Sequence, residues 1–202
     1  MRSKSSAKRE TILQTATAAF IEMGYEGASM AEIASRAGCS KVTLYGYFAS
    51  KEDLFLGVIS GKMEQDIHPL LDYLEKQTTA EVMSVLEQFG LHYLSIALTP
   101  EAIALKRLAI MLMTNPAVSE HFAILGPQRF FATVQAYLSN AMNNGQLAQH
   151  DPMVAAQHLI ALYESETGGG GLFADSANFS HEYLECVVKR AVVVFLTLYG
   201  VR

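Results

Sequence analysis

The 202-residue sequence predicts an all-α protein of about nine helices, a three-helix helix-turn-helix head followed by a larger helical body. Three observations predict it. Apolar residues recur at three- and four-residue steps through most of the chain. Serine, threonine or aspartate stands before most of these runs, and glycine or proline follows them. The β-branched run Val192-Val193-Val194 sits inside a long helical pattern with no hairpin partner, so packing overrides its local propensity.

The elements follow in order. A first helix over Ser6–Met23 carries one stripe of Ile12, Leu13, Ala16, Ala19, Phe20 and Met23, and Gly24 and Gly27 end it. Ser29 and Glu32 form an S-x-x-E capping box, Ile33, Ala34 and Ala37 make the inner face, and Gly38 supplies a left-handed C-cap. Ser40 caps a third helix in which Leu44 and Phe48 lie four apart on the inside. Ser50-Lys51-Glu52-Asp53 opens a fourth, with two acids that suit the helix dipole. Leu54, Phe55, Val58, Ile59 and Met63 continue its core side, and it ends near His68-Pro69 or bends there and runs on to Leu74.

The body begins with a fifth helix over Ala80–Leu98. Thr99-Pro100-Glu101 starts a sixth, with proline at the first helical position; Asn115-Pro116 interrupts it, and a short piece continues to Phe122. Gly126-Pro127 and Asn144-Gly145 bracket a seventh, Asp151-Pro152 opens an eighth that reaches about Glu166, and Gly168 to Gly171 read as a flexible connector. Ser180 caps the last helix, which ends at Gly200. Domain boundaries fall at residues 1–54 for the head and 55–202 for the body, with the helix from about residue 50 joining them.

Composition excludes several classes. The longest apolar run, Ala191 to Leu196, is far short of the roughly 20 residues a membrane span needs. The basic N-terminus lacks the apolar stretch of a secretory signal. Two cysteines, Cys39 and Cys186, lie in separate domains with no CxxC, which points to a reducing cytoplasm and makes the Asn178-Phe179-Ser180 sequon incidental. Charge is uneven. Residues 1–51 hold seven Lys or Arg against four Glu, and the remainder holds eight against sixteen acids, so a +3 head precedes a −8 body within the total of −5. A cationic head on an acidic trunk orients the molecule toward a polyanion.

The third helix leaves Lys41, Val42, Thr43, Tyr45 and Tyr47 pointing outward, a set that suits a DNA major groove. Lys41 faces a guanine or a phosphate, and Val42 suits a thymine methyl. Lys51 with free amides at the start of the fourth helix, and Ser29 and Met30 at the second, form anion sites, and the cap Ser40 joins the DNA-contact candidates. Each tyrosine also has a packing role as its alternative.

Here the chain resembles the TetR family of bacterial transcription regulators. The resemblance rests on Gly24-Tyr25, Met30 to Ala34, Ala37-Gly38, Ser40-Lys41, Thr43-Leu44-Tyr45, Tyr47-Phe48 and Ser50 to Leu54, and is dense from about Thr11 to Leu56. Residues Leu105 to Leu162 look like the AefR-like branch of its C-terminal domains. It implies that Thr43, Tyr45 and Tyr47 bind the DNA backbone and that the last two long helices pair with those of a second copy. Two positions depart from the family's pattern: Val42 stands where a small residue is frequent, and Gly46 stands where many members carry a larger side chain toward the bases.

A last helix apolar nearly all round must be buried on two sides. One side suits an identical helix, and Leu159, Leu162, Tyr163, Val187, Ala191, Val194, Phe195 and Leu198 are the interface candidates for a homodimer on a pseudo-palindromic operator. Phe89, Tyr93, Met111, Phe122, Phe131, Gln135 and His158 are candidates to line a pocket for a small, largely apolar effector, or else plain core. His92 either orients such a ligand or is a core polar group satisfied by backbone, and Arg107 and Arg129 either counter an acidic ligand or face solvent. There is no G-x-S-x-G elbow, Walker loop or H-E-x-x-H, and no histidine pair at ligand spacing, so the sequence predicts neither catalysis nor a cofactor or metal. It predicts a ligand-released repressor, the alternative being a helical adaptor that binds protein.

Overall fold

The computed structural model describes residues 5–77, 80–116, 118–120, 128–173 and 179–201. Ten α-helices are delimited among them: α1 (Ser6–Gly27), α2 (Met30–Arg36), α3 (Lys41–Tyr47), α4 (Lys51–Lys62), α5 (His68–Glu75), α6 (Val82–Ala97), α7 (Pro100–Leu112), α8 (Gln128–Asn143), α9 (Pro152–Glu164) and α10 (His181–Tyr199). A π-helical turn over Met63–Ile67 joins α4 to α5, so the chain stays helical through His68-Pro69. Phe122 and the Gly126-Pro127 helix start lie outside the described residues.

The capping serines act as their spacing implies. Oγ of Ser29, Ser40, Ser50 and Ser180 accepts from the amide three residues on, at 3.0 or 3.1 Å. At α2 only half of the expected box forms, because the Glu32 carboxylate accepts from Arg36 Nε at 2.8 Å. At α4 the returning acid is Asp53, whose Oδ2 accepts from Ala49 N at 2.8 Å. Helix α1 overruns its expected end, turning at Gly24 with φ 68°.

Two compact units result, residues 1–64 with 104–124, and residues 65–103 with 125–202. The expected division at residue 54 does not coincide with them. Phe55 and Val58 of α4 are fully buried in the first unit's core with Ile12, Phe20, Ile33 and Leu44, and Leu105 and Ala109 of α7 join the same core. The chain leaves the first unit inside the π turn and returns to it within α7. In the second unit α10 packs on α6 and α9, α9 also packs on α8, and α5 packs on α6 and α8. Its centre is Leu86, Phe89, Leu159, Tyr163, Val187 and Phe195, all fully buried.

The tetraglycine is not the loose connector the sequence suggests. Gly168, Gly169, Gly170 and Gly171 all have positive φ, and Gly171 N donates to Thr167 O at 2.9 Å. Gly170 and Gly171 are buried, and a Cβ on Gly171 would lie 2.6 Å from Ile103 Cδ1. Only glycine suits both the left-handed backbone and this close approach.

Candidate nucleic-acid interface

Leu44 is fully buried and Phe48 nearly so, which fixes the rotation of α3 and turns its opposite side outward. Oγ of Ser40 lies 2.9 Å from Thr43 Oγ1 besides holding the Thr43 amide. Lys41 Nζ sits 5.9 Å from the centroid of the Tyr45 ring, one turn further along. Val42 is 83% exposed and Tyr45 45% exposed. Lys41, Val42, Thr43 and Tyr45 therefore form one exposed surface of cation, methyls, hydroxyls and ring.

The remaining expected contacts divide. Ser29 is exposed at the start of α2, whereas Met30 is buried in the core and its side chain is no DNA contact there. Lys51 Nζ lies 4.3 Å from the Tyr25 ring centroid and 3.4 Å from Glu26 O, placing this cation at the α1–α4 seam. Tyr47 is half-buried, and its hydroxyl accepts from Ser5 N at 3.1 Å and lies 3.4 Å from Ser5 O. It fastens the start of α1 to α3. Tyr47→Phe is therefore expected to weaken DNA binding no more than about fivefold while freeing residue 5, since one exposed hydrogen bond contributes about 1 kcal/mol. Amide exchange at Ser5 checks this: unchanged protection alongside a large loss of binding would make the hydroxyl a DNA contact instead.

Sequence reasoning missed Lys8, whose Nζ donates to Ala37 O at 2.8 Å and to Gly38 O at 3.2 Å, closing the turn before α3. The partners lie 29 and 30 residues away, so no local pattern signals the contact. Arg36 likewise ties α2 to α1, reaching Glu22 at 2.6 Å.

In the second unit the expected pocket residues separate. Phe89 is fully buried, its ring centroid 6.5 Å from Tyr93, 6.2 Å from Phe130 and 6.4 Å from Tyr163. Tyr93 donates to Glu164 Oε1 at 2.6 Å, and burial first, then that carboxylate, holds its pKa well above the usual phenol value. Phe131 is half-buried and edge-on to Phe130, and Gln135 is half-buried on the same helix. His158 is exposed, its Nδ1 2.7 Å from the Tyr199 hydroxyl, and thus on the outer side of α9 rather than facing a cavity. His92 is exposed and edge-on to Tyr73, and Arg129 contacts His68 at 2.6 Å. Met111 and Arg107 belong to the first unit, where both are exposed, Met111 at 71%, so Met111 lines no enclosed space there. A cleft of about 230 Å³ opens instead between α5 and α8, lined by Leu74, Glu75, Thr133, Tyr137 and Asn140 among others.

The interface candidates need correcting too. Leu159, Tyr163, Val187, Ala191 and Phe195 are buried in their own unit and Leu162 is half-buried, so the first five have no surface to offer a second copy. Tyr163, fully enclosed, donates to Leu86 O at 2.7 Å. Val194 and Leu198 are exposed, as are Val154 of α9 and Val193 of α10. A helix apolar all round does not reveal which side meets its own core.

A capped, exposed α3 held on a core shared by α1, α2, α4 and α7 is the arrangement of a helix-turn-helix DNA-binding transcription regulator. Its family is found by comparison with known proteins. The model for bacterial regulatory proteins of the tetR family matches residues 12–58, and that for the AefR-like transcriptional repressor C-terminal domain matches residues 84–201. The chain belongs to the TetR family, whose members are regulators rather than enzymes and typically bind operator DNA as dimers. It is 29% identical over 163 residues to the HTH-type transcriptional regulator RutR of Escherichia coli K12, covering 80% of this chain and 73% of that one. A TetR-family regulator structure from Mesorhizobium loti superposes with TM-score 0.90 at 31% identity, covering 99% of this chain and 100% of that one. The flavonoid-responsive regulator FrrA superposes with TM-score 0.75 at 27% identity, over 98% and 100%. Among the described residues no helix is long and apolar enough to cross a membrane.

Proposed function

We propose that two copies of this chain bind a pseudo-palindromic operator as a repressor, and that a small, largely apolar molecule releases them. The observation that carries the reading is the outward face of α3, where Lys41, Val42, Thr43 and Tyr45 stand exposed on a capped helix. The flanking Ser29, Ser40 and Lys51 amides supply phosphate contacts. One such head makes few contacts, so affinity comes from two heads on a symmetric site.

The repressor sign is supported by the description of the matched C-terminal domain. Release by an apolar ligand is supported by the aromatic interior around Phe89, Tyr93, Phe130 and Phe131, and by the flavonoid response that FrrA's name records. Pairing through α9 and α10 is supported by the exposed apolar side chains of Val154, Val193, Val194 and Leu198. The compartment is the cytoplasm, where the chromosome is. Release requires the ligand to prefer the state that binds DNA poorly.

The test is a gel shift on the promoter beside the chain's own gene. Sharp retention is expected, weakening steeply with salt as counterions are released. Mass spectrometry then identifies any small molecule carried through purification, and adding it back should abolish the shift. Equal retention of the promoter and a scrambled duplex would overturn operator recognition, and retention that rises with the ligand would reverse the sign.

A further inference from the structure

At about 100° per residue, Val42 and Gly46 lie about 160° and 200° round α3 from the buried Leu44, and so straddle the outermost line of the helix. The polar groups beside them are engaged within the head: Lys41 over the Tyr45 ring, Thr43 against Ser40, Tyr47 against Ser5. Val42 is almost uncovered, and a Cβ built on Gly46 would meet nothing within 4 Å.

Nothing inside the head requires glycine at this position. Its φ lies outside the left-handed region, so it is not a left-handed cap, and Phe48 in extended geometry closes the helix. Glycine within a helix costs stability relative to alanine, and alanine fits this site without strain or contact. A bare backbone at this outermost position leaves α3 free to approach closely whatever it docks on.

We infer that Val42 and Gly46 form a shallow apolar notch that seats the 5-methyl group of one operator thymine, Gly46 letting the α3 backbone approach the groove floor and Val42 packing on the methyl. This rests on the operator-binding reading above and names the base that reading leaves open. The chemistry fits, since thymine alone among the bases carries a methyl on its major-groove edge and apolar side chains discriminate it. A side chain at residue 46 would hold the helix off the groove and break that contact.

The experiment uses the full chain and begins by enriching an operator from a random-sequence duplex library. Each thymine is then replaced in turn by uracil, which removes the methyl and leaves every hydrogen-bonding group in place. One position in each half-site should lose about tenfold in affinity. Gly46→Ala should weaken binding to the enriched duplex by a similar factor while its Tm rises by about 2 °C, in line with alanine's helix preference. Val42→Ala should bind the thymine and uracil duplexes alike. Uracil tolerated everywhere by the wild-type chain, or Gly46→Ala binding as tightly as wild type, overturns the notch. A library that enriches no sequence removes operator recognition itself, and the notch with it.

Discussion

Gly90→Ala is expected to destabilise the second unit by about 2–3 kcal/mol, although glycine to alanine inside a helix ordinarily stabilises by up to about 1 kcal/mol. Gly90 lies in α6, and a Cβ there would be 2.5 Å from Tyr163 Cε1 and 2.7 Å from Cζ. The ring has nowhere to go: it is fully buried, tilted against Phe89 and Tyr93, and tethered through its hydroxyl to Leu86 O at 2.7 Å. Accommodating the methyl means an off-rotamer ring or a displaced α6, the usual cost of overpacking a dense core. For a chain of this size the Tm falls by about 5–10 °C. Urea unfolding of Gly90→Ala, Tyr163→Leu and the double variant checks the cause. The smaller side chain relieves the clash, so the two changes should couple by at least about 1 kcal/mol. A variant as stable as wild type would show that ring and helix are not in contact. Gly90→Ala and Gly46→Ala thus have opposite expected effects on stability, and what lies within 4 Å of each position decides the sign.

What was legible in the sequence follows from how far apart the interacting residues lie. Ser29, Ser40, Ser50 and Ser180 each bond an amide three residues on, so a cap is visible in a four-residue window. The outward face of α3 was equally legible, because Leu44 and Phe48 alone fix its rotation. Contacts that cross the chain were not. Ser5 meets Tyr47 across 42 residues, and Tyr163 meets Leu86 across 77. The π turn over Met63–Ile67 contains neither proline nor glycine, so no punctuation announced it. Gly168 to Gly171 were legible as a break but not as a packed one, since Ile103, which closes on Gly171, comes from another helix. The same limit explains the interface candidates: Phe195 and Leu198 are both apolar and three apart, and only the packing of α10 on α6 and α9 separates the buried from the exposed.

That distinction sets up the other large expected effect. Phe195 is fully buried in its own unit, and Leu198, about 60° round α10 from it, is 59% exposed beside Val194 at 46%. A carboxylate at Phe195 strands a charge in the core, at several kcal/mol, so Phe195→Glu should fail to fold. A carboxylate at Leu198 remains in water in the separate chain, and such surface changes usually shift stability by no more than about 0.5 kcal/mol. It becomes an unpaired buried charge only when a second copy covers the face, as the proposed pairing through α9 and α10 requires. Leu198→Glu should therefore keep the wild-type helical content and Tm at low concentration yet sediment as a single chain. Its operator affinity should fall by about 10²–10⁴, because each head then binds its half-site alone. Sedimentation velocity together with gel shift on the same sample separates the alternatives. Wild-type assembly with wild-type affinity would mean that another face joins the copies. Single chains that still bind the full operator as tightly as wild type would mean that pairing contributes nothing to recognition, and the two-headed reading would fall with that result.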